Sequence, residues 1–272
     1  MRTAISSLDL RRASSLDDAL EILSSGDRTP IAGATDLYVA LNFGTLVPRQ
    51  FVDIWALDEL RGISIRDDVL VIGALASYTS LMRSPLVAGR VPMLAEASGQ
   101  VGGVQIQNRG TLGGNIANAS PAGDSLPVLA AVDAVIVLRS ARAERRVGIN
   151  EFYTGYRASV MTPDELIVAI EIAPVEGKQW FRKVGTRAAQ AISKIVVAGV
   201  RGASPRIAFG SVAPTVVRAS ETERALAAGA SIDDAAEILV KEIKPIDDIR
   251  STAEYRLRVS ANLLRKFWRD TG

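Results

Sequence analysis

The 272-residue chain contains neither cysteine nor histidine. Without cysteine there is no disulfide, no thiolate nucleophile and no ligand for an iron–sulphur cluster. Without histidine there is no Ser-His-Asp or Cys-His machinery and no imidazole metal ligand. Any redox chemistry therefore falls to an organic cofactor. Aromatic residues make up only 5% of the chain, too few for a platform on which single strands stack. Lysine and arginine total 32 against 30 acidic residues, a net charge of +2, and so balanced a chain excludes a nucleic-acid binder of the basic kind. Runs of roughly eighteen apolar residues, long enough to span a bilayer, are absent, and the N-terminal MRTAISSLDLRR lacks the apolar core of a signal peptide. These features predict a cytoplasmic protein with no membrane span.

The 22 glycines also exclude something, because no two of them are separated by a single residue. With no GxG there is no GxGxxG dinucleotide fingerprint, and Gly177-Lys178 lacks the rest of a phosphate-binding P-loop.

What is present is 48% apolar residues and 23% charged, enough for a real core in two modest domains at about 150 residues per domain. Helical spacing of Leu16, Ala19, Leu20 and Leu23 predicts a helix over 15–24, capped by Ser14 or Ser15. A strand over 29–32, a tight turn at Gly33-Ala34-Thr35 and a helix over 36–43 follow, then a strand over 51–54. Segments 60–65 and 69–74 flank Asp67-Asp68 as a hairpin. After a helical run over 94–101, residues 107–124 (QNRGTLGGNIANASPAGD) are crowded with Gly, Asn, Ser and Thr and read as an ordered loop. A helix over 126–131, a strand over 134–139, a solvated charged turn over 139–146 and a strand over 166–172 complete the first part. Residues 174–178 mark the boundary. Beyond it come strands over 180–184, 195–200 and 206–212, then helices over 221–228, 232–243 and 251–269, the last with Ala253, Leu257, Ala261, Leu264 and Trp268 on one stripe. Strands first and helices afterwards make this second domain α+β.

Two glycine turns remain, Ala32-Gly33-Ala34-Thr35-Asp36 and Thr111-Leu112-Gly113-Gly114-Asn115. Each puts small residues where backbone amides can approach a ligand, and the first opens a predicted helix whose free N–H groups favour an anion. Either turn alone reads equally as a tight bend; two converging could hold the two phosphates of a diphosphate.

Taken in order, AGATDL near residue 32, NRGTLGGNIANASPAGDSLPVLAA over 108–131, FRKVGTR around Lys183 and SxAEYR over 251–256 resemble the flavin-binding medium subunit of the molybdenum hydroxylases, the family of xanthine dehydrogenase and aerobic carbon monoxide dehydrogenase. The resemblance implies an α+β fold: an FAD-binding domain of the vanillyl-alcohol-oxidase (PCMH) type over 1–175, in two subdomains split near residue 55, and a smaller α+β C-terminal domain over 176–272. It implies that Ala32, Gly33, Ala34, Thr35 and Asp36, with Leu37 beside them, form one loop around the FAD diphosphate. Gly110, Thr111, Gly113, Gly114 and Asn115 would form the other, with Asn118 in the same stretch. Asp124 matches a carboxylate that binds the adenosine part, Ile167 an apolar residue against flavin or adenine, and Lys183 a lysine at the pyrimidine edge of the isoalloxazine. Val101 stands where some relatives carry an aromatic residue on the ring. The commoner first loop reads Ala-Gly-Gly; Ala34 departs from it, which suits a residue with negative φ.

The resemblance further implies an oxidoreductase subunit without catalytic side chains of its own and without a metal site. Its FAD, held noncovalently, would carry electrons from the iron–sulphur clusters of a small two-iron, two-sulphur subunit to an acceptor such as NAD or another oxidant. Molybdopterin would sit on a large partner subunit, in a hetero-oligomer expected to be a dimer of heterotrimers. The alternatives are a free-standing FAD-dependent oxidoreductase with its own small substrate, for which the sequence offers no obvious acid or base, and a scaffold that has lost its cofactor.

Overall fold

The computed structural model describes residues 5–272. Its first layer is a small parallel sheet. Strands β1 (Asp9–Arg12), β2 (Thr29–Ile31) and β3 (Gln50–Asp53) pair in the order β1-β3-β2, with α1 (Leu16–Leu23) and α2 (Thr35–Phe43) as the crossovers that parallel strands require. Ser15 caps α1, its hydroxyl accepting the Asp18 N–H at 3.1 Å, and the predicted stripe of α1 packs on Val52, Ile54 and Leu57. Strand β1 is wholly exposed along DLRR, so neither alternation nor an apolar run announces it.

The second layer is an antiparallel sheet in the order β4-β5-β10-β6-β7, formed by β4 (Ile63–Arg66), β5 (Val69–Gly73), β6 (Val135–Arg139), β7 (Glu144–Gly148) and β10 (Leu166–Ile172). Asp67 and Asp68 both adopt positive φ, 48° and 64°, as a two-residue hairpin turn with the twist of its strands demands. Between β5 and β6 run α3 (Tyr78–Arg83), α4 (Pro85–Arg90), α5 (Pro92–Gly99), α6 (Val104–Arg109), α7 (Leu112–Asn118) and α8 (Leu126–Ala131). After β7 come α9 (Ile149–Phe152) and the small hairpin β8 (Tyr153–Gly155) and β9 (Ala158–Ser159).

One expectation is corrected and a second is narrowed. The stretch 107–124 is not simply a loop, because α7 occupies its middle. Thr111 caps it through the Gly114 N–H, and Leu112 and Ile116, one turn apart, are fully buried. Their i, i+4 spacing was visible between the glycines. The charged run 139–146 keeps its turn at 140–143, while Arg139 and 144–146 belong to the flanking strands, Leu138 pairing with Arg145 and Arg139 with Glu144. The arginines of β7 stay on the surface by pairing with Glu165 and Glu171 across the sheet.

The third layer is a sheet of β11 (Lys178–Val184), β12 (Ile195–Arg201), β13 (Arg206–Gly210) and β14 (Val217–Arg218), antiparallel throughout. It is backed by α10 (Ser220–Ala227), α11 (Ile232–Glu242) and α12 (Ala253–Asp270). Strand β12 is buried on both faces. Ile195 and Val197 join the helical core with Leu264 and Phe267, while Val196, Ala198 and Val200 join the core of the second layer beside α8. That explains why it reads as an unbroken apolar run. A Cβ on Gly199 would meet the Phe267 ring at 2.7 Å, so the glycine makes room for the aromatic. On α12 the buried face runs through Arg256, Ser260, Leu264 and Phe267, with Leu257 and Trp268 at its margin. It is rotated from the predicted apolar stripe because the Arg256 guanidinium is drawn inward onto Asp248 and the Ser211 carbonyl. No helix among the described residues is long and apolar enough to cross a membrane.

Phe267 is fully buried and fills the gap over Gly199. Phe267→Ala is expected to lower unfolding stability by about 3–5 kcal/mol, read from urea or thermal denaturation; a loss of less than about 1 kcal/mol contradicts this packing.

Candidate functional site

The two glycine turns meet. A Cβ on Gly33 would lie 1.6 Å from the carbonyl oxygen of Arg109 and 3.2 Å from the amide nitrogen of Gly110, so only glycine lets the first turn rest on the second. Asn118, at the end of α7, donates from Nδ2 to Asp36 Oδ1 at 3.0 Å, a second tie between segments 82 residues apart. Arg109 lies over the Trp55 ring, 3.8 Å from its centroid, and Arg61 lies 4.2 Å from the same centroid. Trp55 follows β3, so this stack fixes the second turn to the end of the first layer.

The turns differ in what they offer a ligand. Ala34 has φ 63°, the left-handed region, which overturns the expectation that an alanine there keeps φ negative. Followed directly by the right-handed residues of α2, this conformation points successive amides into one concavity, an anion-binding nest. The position before α2 gives no side-chain cap, and the N–H groups of Ala34, Thr35, Asp36 and Leu37 have no acceptor among the described residues. The helix start is thus left open for an anion.

At the second turn the amides are already engaged. Leu112 N–H donates to Ala76 O at 3.0 Å, Gly113 N–H to Ala74 O at 2.9 Å, Gly114 N–H to Thr111 Oγ1 at 3.1 Å and Asn115 N–H to Thr111 O at 3.0 Å. Here glycine provides closeness rather than donors. A Cβ on Gly113 would meet Ala74 at 2.8 Å, one on Gly110 the Tyr78 ring at 3.0 Å, and one on Gly114 the Thr111 hydroxyl at 2.8 Å. Asn115 is held from behind by the Ser125 hydroxyl, 2.7 Å from Oδ1. Ala32 is half-buried beside α1.

Asp124 and Lys183, predicted at opposite ends of an extended dinucleotide, touch each other. Lys183 Nζ lies 2.6 Å from Asp124 Oδ2, and the two side chains are only 6% and 8% exposed. The same ammonium donates to Gln100 O at 2.8 Å, and the Ser193 hydroxyl donates to Asp124 Oδ1. The two side chains expected at the adenosine and isoalloxazine ends thus form a single ion pair. Burial raises the Asp124 carboxyl above its ordinary value, against the pull of Lys183 and Ser193. The pair joins α5, the 119–125 turn and β11, and so links the second layer to the third. Nothing in the sequence marks Ser193 or Gln100 as its partners.

Val101 is half-buried at the edge of the second-layer core, just before Gly102, whose φ is 53°. Ile167 is 3% exposed within that core, at the register shift in β10. The structure therefore gathers the two turns, Leu37 and Asn118 in one place, puts Asp124 and Lys183 in a second, and leaves Ile167 in the packing. Among the described residues no group of three or more acidic side chains could hold a metal.

Replacing Lys183 by Met leaves Asp124 buried without its cation, at an expected cost of about 3–5 kcal/mol near neutral pH. The sign of the pH dependence follows from the raised pKa. The folded protein holds this proton more tightly than the unfolded chain, so the penalty is absent below the unfolded value and complete once pH passes the folded one. Denaturation midpoints of Lys183→Met and wild type are therefore expected to lie closer at pH 4 than at pH 8; an equal gap at both contradicts a buried, charged Asp124.

A family model described as the FAD binding domain in molybdopterin dehydrogenase matches residues 6–175. A second, described as the CO dehydrogenase flavoprotein C-terminal domain, matches residues 180–271. The chain is 32% identical over 270 residues to the glyceraldehyde dehydrogenase medium chain of Sulfolobus acidocaldarius, covering 95% of this chain and 96% of that one. It is 31% identical over 271 residues to the xanthine dehydrogenase FAD-binding subunit of Escherichia coli O157:H7, covering 94% and 92%. In structure it is similar to a chain of carbon monoxide dehydrogenase from Hydrogenophaga pseudoflava, in a form that lacks the Mo-pyranopterin moiety of the molybdenum cofactor. The TM-score is 0.89 at 28% identity, over 95% of both chains. With both of its domains matched, and nearly its whole length aligned to medium chains, the protein belongs to the FAD-binding medium subunits of the molybdopterin dehydrogenases.

Proposed function

We propose that the chain is the electron-transfer flavoprotein of a cytoplasmic molybdenum hydroxylase complex. It takes electrons from the iron–sulphur clusters of a small partner subunit and delivers them to an acceptor such as NAD or another oxidant. The substrate is oxidised at molybdopterin on a large partner subunit. The observation that carries this reading is the row of unpartnered amides from Ala34 to Leu37, facing a second turn stripped of side-chain bulk at Gly110, Gly113 and Gly114. That arrangement suits an anionic dinucleotide, and the family models and relatives agree with FAD as its identity.

The residues present fit the cofactor. Ala34, Thr35, Asp36 and Leu37 would hold the diphosphate through their amides, and Gly33 keeps the two turns close enough for both to border it. Gly110, Thr111, Gly113, Gly114 and Asn115 form the opposite wall, and Asn118 holds Asp36 in place. Lys183, held by Asp124 and Gln100, would border the flavin end as one half of a buried ion pair. Val101 and Ile167 supply apolar packing behind it. When bound, the isoalloxazine supplies the electron chemistry, so no general acid or base is required of this chain. With no cysteine or histidine in the sequence, neither common side-chain tether to a flavin exists, which supports noncovalent binding.

The purified complex is expected to show flavin absorption in the visible range, and denaturation should release all of it as free FAD; flavin that stays on the denatured polypeptide contradicts the reading. In Gly114→Leu the added side chain meets the Thr111 hydroxyl, and flavin content and acceptor reduction should fall together while the subunits still assemble. Unchanged flavin content and activity in that variant would count against the site. Substrate turnover by the isolated chain would instead favour a free-standing oxidoreductase.

A further inference from the structure

The β8–β9 hairpin turns through Tyr156 and Arg157, and its tip reaches the same place as the two glycine turns. Arg157 Nη1 donates to Asn118 Oδ1 at 2.7 Å and, more weakly, to Asn118 O at 3.5 Å. Asn118 passes the contact on to Asp36, at the start of α2. Three segments distant in sequence therefore converge beside the open amides.

Two features of Arg157 are unusual. Its φ is 51°, in the left-handed region that a long side chain occupies only at a cost and that asparagine or glycine would fill more easily. A strained residue of this kind is found where its side chain is needed. Arg157 is also exposed and forms no ion pair with a carboxylate among the described residues, and its Nε and Nη2 make no hydrogen bond there. Arg109 lies on Trp55, 3.8 Å from the ring centroid, and Lys183 on Asp124, whereas Arg157 has only a long contact with the neighbouring Tyr156 ring, 5.9 Å from its centroid.

Charge balance gives this guanidinium, which has no carboxylate partner among the described residues, a task. Asp36 sits in the first turn of α2; burial raises its carboxyl, and Arg157 is the cation that opposes the rise. A diphosphate placed on the amides of Ala34 to Leu37 would bring further negative charge next to that carboxylate. Amide dipoles alone would then work against Coulomb repulsion in a partly desolvated site.

We infer that Arg157 is a component of the dinucleotide site, the side-chain cation that offsets Asp36 and faces the FAD diphosphate. The inference rests on the proposed function, since it takes FAD as the ligand. Arginine suits the position because one edge of its guanidinium can stay on Asn118 while the remaining donors are free for phosphate oxygens.

The test uses the full chain, purified with the subunits that accompany it, stripped of flavin and titrated with FAD at low and high salt. Arg157→Asn removes the charge and suits the left-handed turn; Arg157→Lys keeps the charge. The Kd for FAD is expected to rise about tenfold or more in Arg157→Asn at low salt and about threefold or less in Arg157→Lys, and the difference should narrow in high salt. The melting temperature of the flavin-free Arg157→Asn protein should stay within about 2 °C of wild type. Unchanged FAD affinity overturns the inference. So does a loss that is indifferent to salt and matched by a lower melting temperature of the flavin-free protein, which would make Arg157 only a cap for the carbonyl end of α7. A wild-type protein that takes up no FAD overturns the proposed function itself, whereas one that binds FAD while Arg157→Asn binds it equally well overturns the Arg157 inference alone.

Discussion

Gly33 sits against the backbone of Arg109 and Gly110, with no space for even a methyl group between them, and much of the molecule is arranged to keep that contact. The first layer delivers Gly33 at the end of β2, held to β3 by parallel pairing. The second layer delivers Arg109 and Gly110 at the end of α6, with Gly110 O accepting the Tyr78 N–H at 3.2 Å. The Trp55 stack and the Asn118–Asp36 hydrogen bond close the two flanks. A cleft between two layers is worth little to a ligand if the layers move independently. Here the layers are fixed by backbone approach, so under the proposed function the binding groups would be presented without reorganisation.

The turns then divide the work. The first is strained at Ala34 and rich in open amides; in the second, the amides of Leu112 to Asn115 are bonded within the protein. A nest that held its own intramolecular acceptors would have no donors left for an anion, and two open turns would leave too many buried polar groups unsatisfied in the absence of a ligand. The third layer attaches mainly through packing of β12 and β13 on α8, with one buried ion pair, Asp124 with Lys183, set into that contact. An ion pair so buried adds little net stability but strongly disfavours any arrangement that separates it. It therefore specifies how the C-terminal sheet docks beside the cleft.

Most of the elements were legible because their periodicities are clean. The helices α1 and α8 and the strands β5, β10 and β12 stand within a residue or two of where apolar spacing puts them. Strand β1 was not legible, since an exposed edge of three charged side chains and one leucine has no periodic signal. Helix α7 was hidden by its glycines, which serve the approach to Ala74 and Thr111 and not chain flexibility. The site itself was legible as motifs and not as geometry. Spacing shows that Gly33 and Gly113 are glycines; only the fold shows that the first forbids a side chain because of Arg109 and the second because of Ala74. The positive φ of Ala34, the meeting of Asp124 with Lys183 and the roles of Ser193 and Gln100 depend on contacts between residues 59 or more apart or on backbone torsion, and no local pattern encodes them.

The absence of cysteine and histidine takes on a definite meaning in this framework. The chain carries neither cysteine nor histidine, the common side-chain tethers of a flavin and ligands of an iron–sulphur cluster, and the proposed site consists of amides, glycines and a few charges, which would bind and polarise without reacting. The central claim is that both turns border one dinucleotide, with the donors on the first. Hydrogen exchange of the full chain with and without FAD tests it most directly. Strong slowing at the amides of Ala34 to Leu37, with little change at the already bonded Leu112 to Asn115, is the predicted result. Protection confined to the second turn, or to neither, would contradict the account.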